Sequence, residues 1–275
     1  MNSKRFNYLL LVPGVIFLFV FVVIPLMSLM IGTFKDTDGY TINKYVNFFK
    51  DPYYIQIYIR TLRISLITTI VCALIGFPTA YYMSNIDGRK KGILMALVVF
   101  PQLTNPIVRS FSFIVLLGKN GTINTLLMKI GLIKHPLSLL YSEFAIIVGL
   151  VYLFLPLMIL SLIGVMENID KDLLAASESL GATRSKGFLK IILPLSIPGL
   201  IIGSVLVFIG SLTGYTTPQL LGGSNTQVLA TVIYQNAVTV YDWDTASLVS
   251  AIMIVTTLII TFVINNIAKK LNPKG

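Results

Sequence analysis

Long apolar stretches alternate along this chain with short segments that carry almost all of its charge. Four stretches have no Asp, Glu, Lys or Arg: Phe6–Phe34 (29 residues), Ile64–Ile86 (23), Phe144–Met166 (23) and Thr245–Ala268 (24). About 20 helical residues cross the roughly 30 Å hydrocarbon core of a bilayer. Each stretch is therefore predicted to be a membrane-spanning helix.

Two further apolar stretches need interpretation. Gly92–Val108 has 17 residues and includes PQLTNP, so this span either tilts or resumes through SFSFIVLLG. Ile191–Tyr241 is free of charge over 51 residues, but YTTPQLLGGSNTQ interrupts it near the middle. We place one span at Leu195–Thr216 and an irregular loop after it. The pattern thus predicts an all-α integral membrane protein with six transmembrane helices.

Composition supports this class and argues against a nucleic-acid partner. The chain is 55% hydrophobic and 12% charged, with a mean hydropathy of +0.85, outside the range of soluble domains. The formal charge of +10 comes from short clusters between the apolar stretches rather than from one basic surface. Cys72 and His135 are the only residues of their types, so no metal site is predicted.

The clusters of cations predict the orientation in the cell membrane, since cytoplasmic loops carry an excess of Lys and Arg. A cytoplasmic N-terminus would place 12 of the 21 cations on the inside. They are Lys4, Arg5, Arg89, Lys90, Lys91, Lys171, Arg184, Lys186, Lys190, Lys269, Lys270 and Lys274. Both termini are therefore predicted to be cytoplasmic. The first span is too long for a signal peptide and no cleavage site follows it, so it is expected to remain uncleaved.

The sequence lacks three common motifs of nucleotide-binding and catalytic sites. It contains no Walker A pattern, no His-Glu-x-x-His and no Gly-x-Ser-x-Gly. The centres of the four long stretches also lack the ionisable residues that ion-coupled carriers commonly use. We therefore predict no catalytic residue, no cofactor and no enzyme activity; energy for transport would enter through a partner.

The long inner loop, Glu167–Leu193, is predicted to form two short helices. Asp170 is a candidate N-cap for the first, which passes through Leu173, Leu174, Ser177 and Leu180 and ends at Gly181. The second begins near Thr183, and Pro194 and Pro198 bend the chain into the next span. Small residues at 175–177 would let another protein approach closely. The alternative is an amphipathic loop that lies on the inner leaflet.

The segment AASESLGATRSKGFLKIILPLSIPG resembles the EAA loop of permease subunits of binding-protein-dependent ABC importers. Ala176 falls on the first alanine of that motif, and Ala175 stands where the family has its glutamate, with Glu178 one turn later as a candidate replacement. The remaining matches are Gly181, Ala182, Phe188, Ile191, Leu193, Pro194 and Pro198.

This resemblance implies the type I ABC importer permease fold and a set of partners. In that family the loop seats in a groove of a cytoplasmic ATPase dimer, next to a second permease subunit, and an extracytoplasmic solute-binding protein delivers the cargo. YTINKYVNFF, PQLTNPIVRSFSF and GLVYLFLPLMILSL look like the spermidine/putrescine branch, which implies polyamine import. Other small solutes (phosphonates, sulfate-like anions or iron) stay open, as does a membrane enzyme or assembly factor.

Two polar segments are candidates for the solute path, because irregular backbone at membrane depth is tolerated where it lines a cavity. They offer Thr104 and Asn105 in PQLTNP, and Ser211, Thr213, Tyr215 and Thr217 in SLTGYTTPQLLGG. Helix packing by Ser and Thr is the alternative. Glu143, Asp242 and Asp244 are the carboxylates expected near the entrance.

The predicted domain organisation has three parts. Residues 1–58 hold the first transmembrane helix and an outer loop rich in aromatic residues, 59–268 form the permease core with the coupling loop at 167–194, and 269–275 form a cytoplasmic tail.

Overall fold

In the computed structural model, the protein is mostly helical. The structure describes residues 12–36, 39–86, 88–170 and 172–271. The helices, in chain order, are α1 (Val12–Gly32), α2 (Asn43–Lys50), α3 (Pro52–Ser84), α4 (Arg89–Leu103), α5 (Pro106–Leu117), α6 (Thr122–Lys129), α7 (Glu143–Met166), α8 (Asp172–Ser179), α9 (Arg184–Thr213), α10 (Thr216–Gly222), α11 (Leu229–Val240) and α12 (Trp243–Leu271). Two short strands, β1 (Lys35–Asp36) and β2 (Gly39–Tyr40), pair antiparallel after α1.

Six helical stretches among the described residues are long and apolar enough to cross a membrane, as predicted. They are α1, α3, Pro106–Lys129 (α5 and α6 together), α7, α9 and the Trp243–Asn266 part of α12. The fourth predicted span matches α7 to within one residue. Lys4, Arg5, Lys171 and Lys274 fall outside the described residues, as does the first part of the predicted first span.

The bounds predicted for the second and fifth spans are wrong, and the structure decides between the two alternatives for the third. The second span, α3, begins at Pro52 instead of Ile64 and includes Arg60 and Arg63. For the third span, the alternative that resumes through SFSFIVLLG is confirmed, because Thr104 and Asn105 separate α4 from α5 and the apolar span runs over Pro106–Lys129. The fifth, α9, begins at Arg184 rather than Leu195. Long cationic side chains can reach the polar surface while their helix continues, so counting charge-free residues cut these spans short.

The segment after the fifth span is not the irregular loop that the sequence suggested. Thr216–Gly222 forms α10, Ser224–Thr226 adds a turn of 3₁₀ helix, and α11 follows. Gly223, with φ of 66°, separates the first two pieces. The glycines and proline of this segment divide it into short helices instead of preventing helix formation.

The chain divides into two compact units. One comprises the residues up to Gln56 together with Val232–Val255, and the other comprises Ile57–Thr231 together with the residues from Thr256 onward. In the second unit, α7 packs against α3 and α9 through a cluster that includes Cys72, Met158, Leu162 and Val207. A Cβ atom at Gly76 or Gly203 would lie 2.8 Å or 2.6 Å from the Met158 side chain, so these glycines permit the close approach of the helices.

Candidate functional site

The first helix of the predicted coupling loop is present and begins as expected. The Asp170 carboxylate accepts a hydrogen bond from the backbone N–H of Asp172 at 3.0 Å. That bond satisfies one of the donors that a helix start leaves without a partner. The helix itself, α8, runs over Asp172–Ser179, so the predicted first helix and its capping residue are confirmed.

Gly181 ends α8 in the conformation that the sequence predicted. Its φ is +85°, a value that glycine adopts at little cost. The Gly181 N–H donates to the carbonyl of Glu178 (2.9 Å), and the Ala182 N–H donates to the carbonyl of Ser177 (3.0 Å). This pair of bonds is the Schellman motif, which turns the chain sharply and fixes where the next helix starts.

The second helix starts at Thr183 and lies directly against α8. The Thr183 hydroxyl accepts from the backbone N–H of Lys186, and Arg184–Gly187 forms the first turn of α9. Gly187 is buried; a Cβ atom there would lie 2.7 Å from Leu174 Cδ1 and 2.8 Å from Ser177 Oγ. Gly187 is therefore the contact that sets the distance between the two helices, and the sequence analysis missed it.

Phe188 anchors the loop to the rest of the protein rather than extending outward. Its ring makes edge contacts with Phe77 and Tyr81 of α3, at centroid distances of 5.8 and 4.9 Å. Ile191 is half-buried and Ile192 is buried on the same turn. These residues fix the position of the loop on the membrane-spanning helices.

The helix does not stop at Pro194, which is exposed. Residues Phe188–Ile192 form a π turn, and the α-helix continues from Leu193 to Thr213. Pro194 has no N–H to donate to the preceding turn, and a π turn is one way for a helix to accommodate such a gap. The coupling loop and the fifth span thus form one continuous helix.

The other side of α8 is exposed and partly apolar. Leu180 is 90% exposed and Leu173 is 42% exposed. Ala175, Ala176 and Glu178 are also exposed. We call these five residues the coupling surface. Large apolar side chains with this exposure, beside small ones, are typical of a surface that binds another protein.

Thr104 and Asn105 lie at the break between α4 and α5, where their side chains cap helix ends. The Thr104 hydroxyl donates to the carbonyl of Pro101 at 2.7 Å. The Asn105 side chain accepts from the N–H of Ile107 at 2.8 Å. The predicted irregular backbone in PQLTNP is therefore confirmed, and the side chains of Thr104 and Asn105 stabilise the helix break.

The four residues of the second polar segment differ in their surroundings. Ser211 is buried, and its hydroxyl has no hydrogen-bond partner among the described atoms. Thr213 is exposed and bonds to the carbonyl of Ile209. Tyr215 packs on the cluster of Ile64, Ile146 and Leu150. These positions do not line one common surface.

Thr217 is buried against α7, where a Cβ atom at Gly149 would lie 2.6 Å from its methyl group. Its helix, α10, packs against α5 near Leu117 and Leu221, which share a buried cluster with Ala145. That contact lies at the end of α5 away from Asn105. The structure thus brings the two polar segments onto neighbouring helices without joining Thr104 to Thr217.

The expected entrance carboxylates already have partners. Glu143 pairs with Arg60 (3.3 Å) and Arg63 (2.5 Å). Asp244 lies 3.8 Å from Lys44. Asp242 accepts hydrogen bonds from the Thr245 side chain and from the Thr245 backbone N–H. These bonds hold the pKa of the Asp242 carboxyl below its usual range, because their effect is larger than the opposite effect of burial. Glu143, neutralised by two arginines, is poorly suited to attract a cationic solute.

Two polar contacts between helices of the second unit escaped the sequence analysis. Lys91 at the start of α4 pairs with Glu167 at the end of α7, at 2.7 Å. Arg109 on α5 is 6% exposed and donates to the carbonyl of Pro101 on α4, at 3.1 Å. The opposite charges at neighbouring helix ends, and a lone cation within an apolar helix, were signals of these contacts.

The fold and the exposed loop define a class: a multi-pass membrane protein with a short surface helix between its fourth and fifth spans. Residues 72–274 match the model of the binding-protein-dependent transport system inner membrane component family. The chain belongs to this family and is a permease subunit of a transporter. The family predicted from residues 175–199 is confirmed.

Related permease proteins are similar in sequence to this chain over most of its length. It is 37% identical over 261 residues to the spermidine/putrescine transport system permease protein PotB of Haemophilus influenzae, covering 92% of this chain and 91% of that protein. The PotB protein of Escherichia coli K12 is 30% identical over 233 residues, covering 82% and 84%. The fold resembles that of a chain in a bacterial alginate ABC transporter in complex with a pentasaccharide-bound periplasmic protein, with a TM-score of 0.83 at 19% identity over 100% of this chain and 98% of that one.

Proposed function

We propose that this chain is one transmembrane subunit of an ATP-driven importer for polyamines such as spermidine and putrescine. The observation that carries the choice of cargo is the 37% identity, over 92% of this chain, to a protein named for spermidine and putrescine transport. The entrance carboxylates add little to this choice, because Glu143 is held by Arg60 and Arg63.

The coupling loop at 167–194 binds a cytoplasmic ATPase dimer in this proposal. The exposed side chains of Leu173 and Leu180 would enter the ATPase, while Phe188 holds the loop on α3. Burying one such leucine in an interface contributes about 1.5–3 kcal/mol. Glu178 is exposed beside Leu180 and is available for the polar contact that the family glutamate, absent at Ala175, would make.

Orientation and the remaining partners complete the proposal. In this proposal the coupling loop and both termini lie on the cytoplasmic side of the cell membrane, which the excess of Lys and Arg in these segments supports. A second permease subunit would complete the path through the bilayer, and a solute-binding protein would deliver polyamine on the opposite face. Thr104, Asn105, Ser211, Thr213, Tyr215 and Thr217 are the candidates that line or support the path.

Uptake of labelled spermidine tests the cargo. In cells that lack other polyamine uptake systems, we expect import only when this subunit is present with its ATPase, second permease and binding protein. A matched control carries the same genes with Leu180→Asp in this subunit, which keeps the spans but alters the coupling surface. Equal spermidine uptake with and without the subunit, together with subunit-dependent uptake of another solute, would contradict the polyamine assignment.

A further inference from the structure

Cationic side chains connect the two ends of helix α4 to the neighbouring helices α7 and α5. At its start, Lys91 Nζ lies 2.7 Å from Glu167 Oε1, and both side chains are partly shielded from solvent. Glu167 is the residue at which α7 ends and the coupling loop begins. A displacement of the coupling loop would therefore act on the first turn of α4 through this ion pair.

At the other end, Arg109 caps α4 from the neighbouring helix. The last carbonyls of a helix have no partner within it, and at membrane depth such groups must be satisfied by the protein. The Pro101 carbonyl, in the last turn of α4, accepts from the Thr104 hydroxyl at 2.7 Å and from Arg109 Nη1 at 3.1 Å. Arg109 belongs to α5, so its bond crosses the break between the two helices.

The Arg109 charge is costly where it lies. It is 6% exposed, and none of the ion pairs formed by the described residues includes it. A buried charge without a counter-ion is strongly unfavourable. The negative end of the α4 dipole, to which Arg109 donates, offsets part of that cost. An ionisable group kept inside a membrane segment at such cost usually has a function.

The break between α4 and α5 separates two helices that end and start independently of each other. Pro101 and Pro106 lie on either side of Thr104 and Asn105, and neither proline has an N–H for a helical hydrogen bond. Asn105 accepts from the N–H of Ile107 and thereby starts α5 independently. The relative position of the two helices thus depends on side-chain contacts, of which the Arg109 bond is one.

We propose that α4 links the coupling loop to this break, and that Lys91 and Arg109 are the positioning residues at its two ends. The 15 residues of α4 extend about 22 Å at 1.5 Å per residue, enough to reach from the membrane surface to the interior. Movement of the coupling loop on ATP binding passes through the Lys91–Glu167 pair to α4, and through Arg109 to α5. This proposal rests on the proposed function as an ATP-driven importer.

The test measures spermidine imported per ATP hydrolysed by the complete importer in proteoliposomes. We expect Lys91→Ala and Arg109→Gln each to lower this ratio at least fivefold, while ATP hydrolysis continues. Because both variants interrupt the same link, the double variant should be no worse than the poorer single variant. Arg109→Lys, which keeps a charged donor, should give at least half of the wild-type ratio of spermidine imported to ATP hydrolysed. Lys90→Ala is the matched control, since Lys90 is exposed and adjacent to Lys91, and it should leave the ratio unchanged.

Two results would overturn the proposal. One is a double variant whose defect equals the product of the two single defects, which means that the residues act independently. The other is a parallel fall of uptake, hydrolysis and membrane abundance, which means that the residues only maintain the fold.

A cargo-independent measurement separates failure of this link from failure of the polyamine assignment. Leu103, at the end of α4, is exposed and can report on that end. In a Cys72→Ala background, ATP should change the rate at which Leu103→Cys reacts with a maleimide, and Lys91→Ala should remove the change. A wild-type importer that responds in this way but does not import spermidine contradicts only the cargo. An ATP response that persists in Lys91→Ala contradicts the link.

Discussion

Leu180→Asp is expected to release the ATPase and to lower uptake at least tenfold while the subunit stays at normal abundance in the membrane. Leu180 is 90% exposed at the end of α8, so it contributes almost nothing to the fold of the isolated chain. In the proposed complex its burial contributes about 1.5–3 kcal/mol, and each 1.4 kcal/mol corresponds to about a tenfold change in affinity. Burying a carboxylate instead adds a further cost. Co-purification of the ATPase, measured beside spermidine uptake, checks this expectation.

Leu132→Asp provides the matched control. Leu132 is 69% exposed and lies just after α6, outside the coupling loop. The same substitution there should leave both ATPase retention and uptake near wild-type values. If Leu180→Asp retained the ATPase and full uptake, the coupling surface would be assigned to the wrong residues.

Gly187→Val is expected to abolish most uptake by separating the two short helices of the loop. The added side chain would overlap Leu174 and Ser177, whose nearest atoms lie 2.7 and 2.8 Å from the position of its Cβ atom. Overpacking of this kind typically costs 1–3 kcal/mol, and here α8 is the element that can move to relieve it. We expect loss of ATPase binding with membrane abundance near normal, because the spans pack elsewhere around Met158.

Gly181→Ala separates this steric effect from a change in backbone conformation. A Cβ atom at Gly181 would have no other atom within 4 Å, but its φ of +85° is unfavourable for alanine. That strain costs about 1–2 kcal/mol and introduces no clash, so the uptake defect should be milder than that of Gly187→Val. A more severe defect in Gly181→Ala would indicate that the turn, rather than the Gly187 contact, determines the position of α8.

The sequence predicted the coupling loop well because local signals determine it. Asp170 and Gly181 mark the start and end of α8 through bonds to residues two to five positions away, and such bonds depend on residue type and spacing. The fourth span was also predicted closely, since Ser142 caps α7 just before its apolar stretch and Glu167 follows its last residue. These features required no knowledge of which helices are neighbours.

The remaining features depend on contacts between different helices. Gly187 against Leu174, Phe188 against Tyr81 and Arg109 against Pro101 each join separate elements or cross a helix break. Nothing in one segment identifies its partner in another. The bounds of α3 and α9 were predicted wrongly for a different reason, because both helices continue through arginine and lysine residues at their ends.

Cross-linking from Ala176 tests most directly the central claim that the coupling surface binds an ATPase in the cytoplasm. Ala176 is exposed on α8, and Ala176→Cys in a Cys72→Ala background would carry a single thiol. We predict that a short bifunctional reagent joins this thiol to the ATPase subunit in inverted membrane vesicles, and that an impermeant maleimide does not label it in intact cells. Labelling from outside intact cells, or an intact and active importer that yields no adduct with the ATPase, would contradict the account.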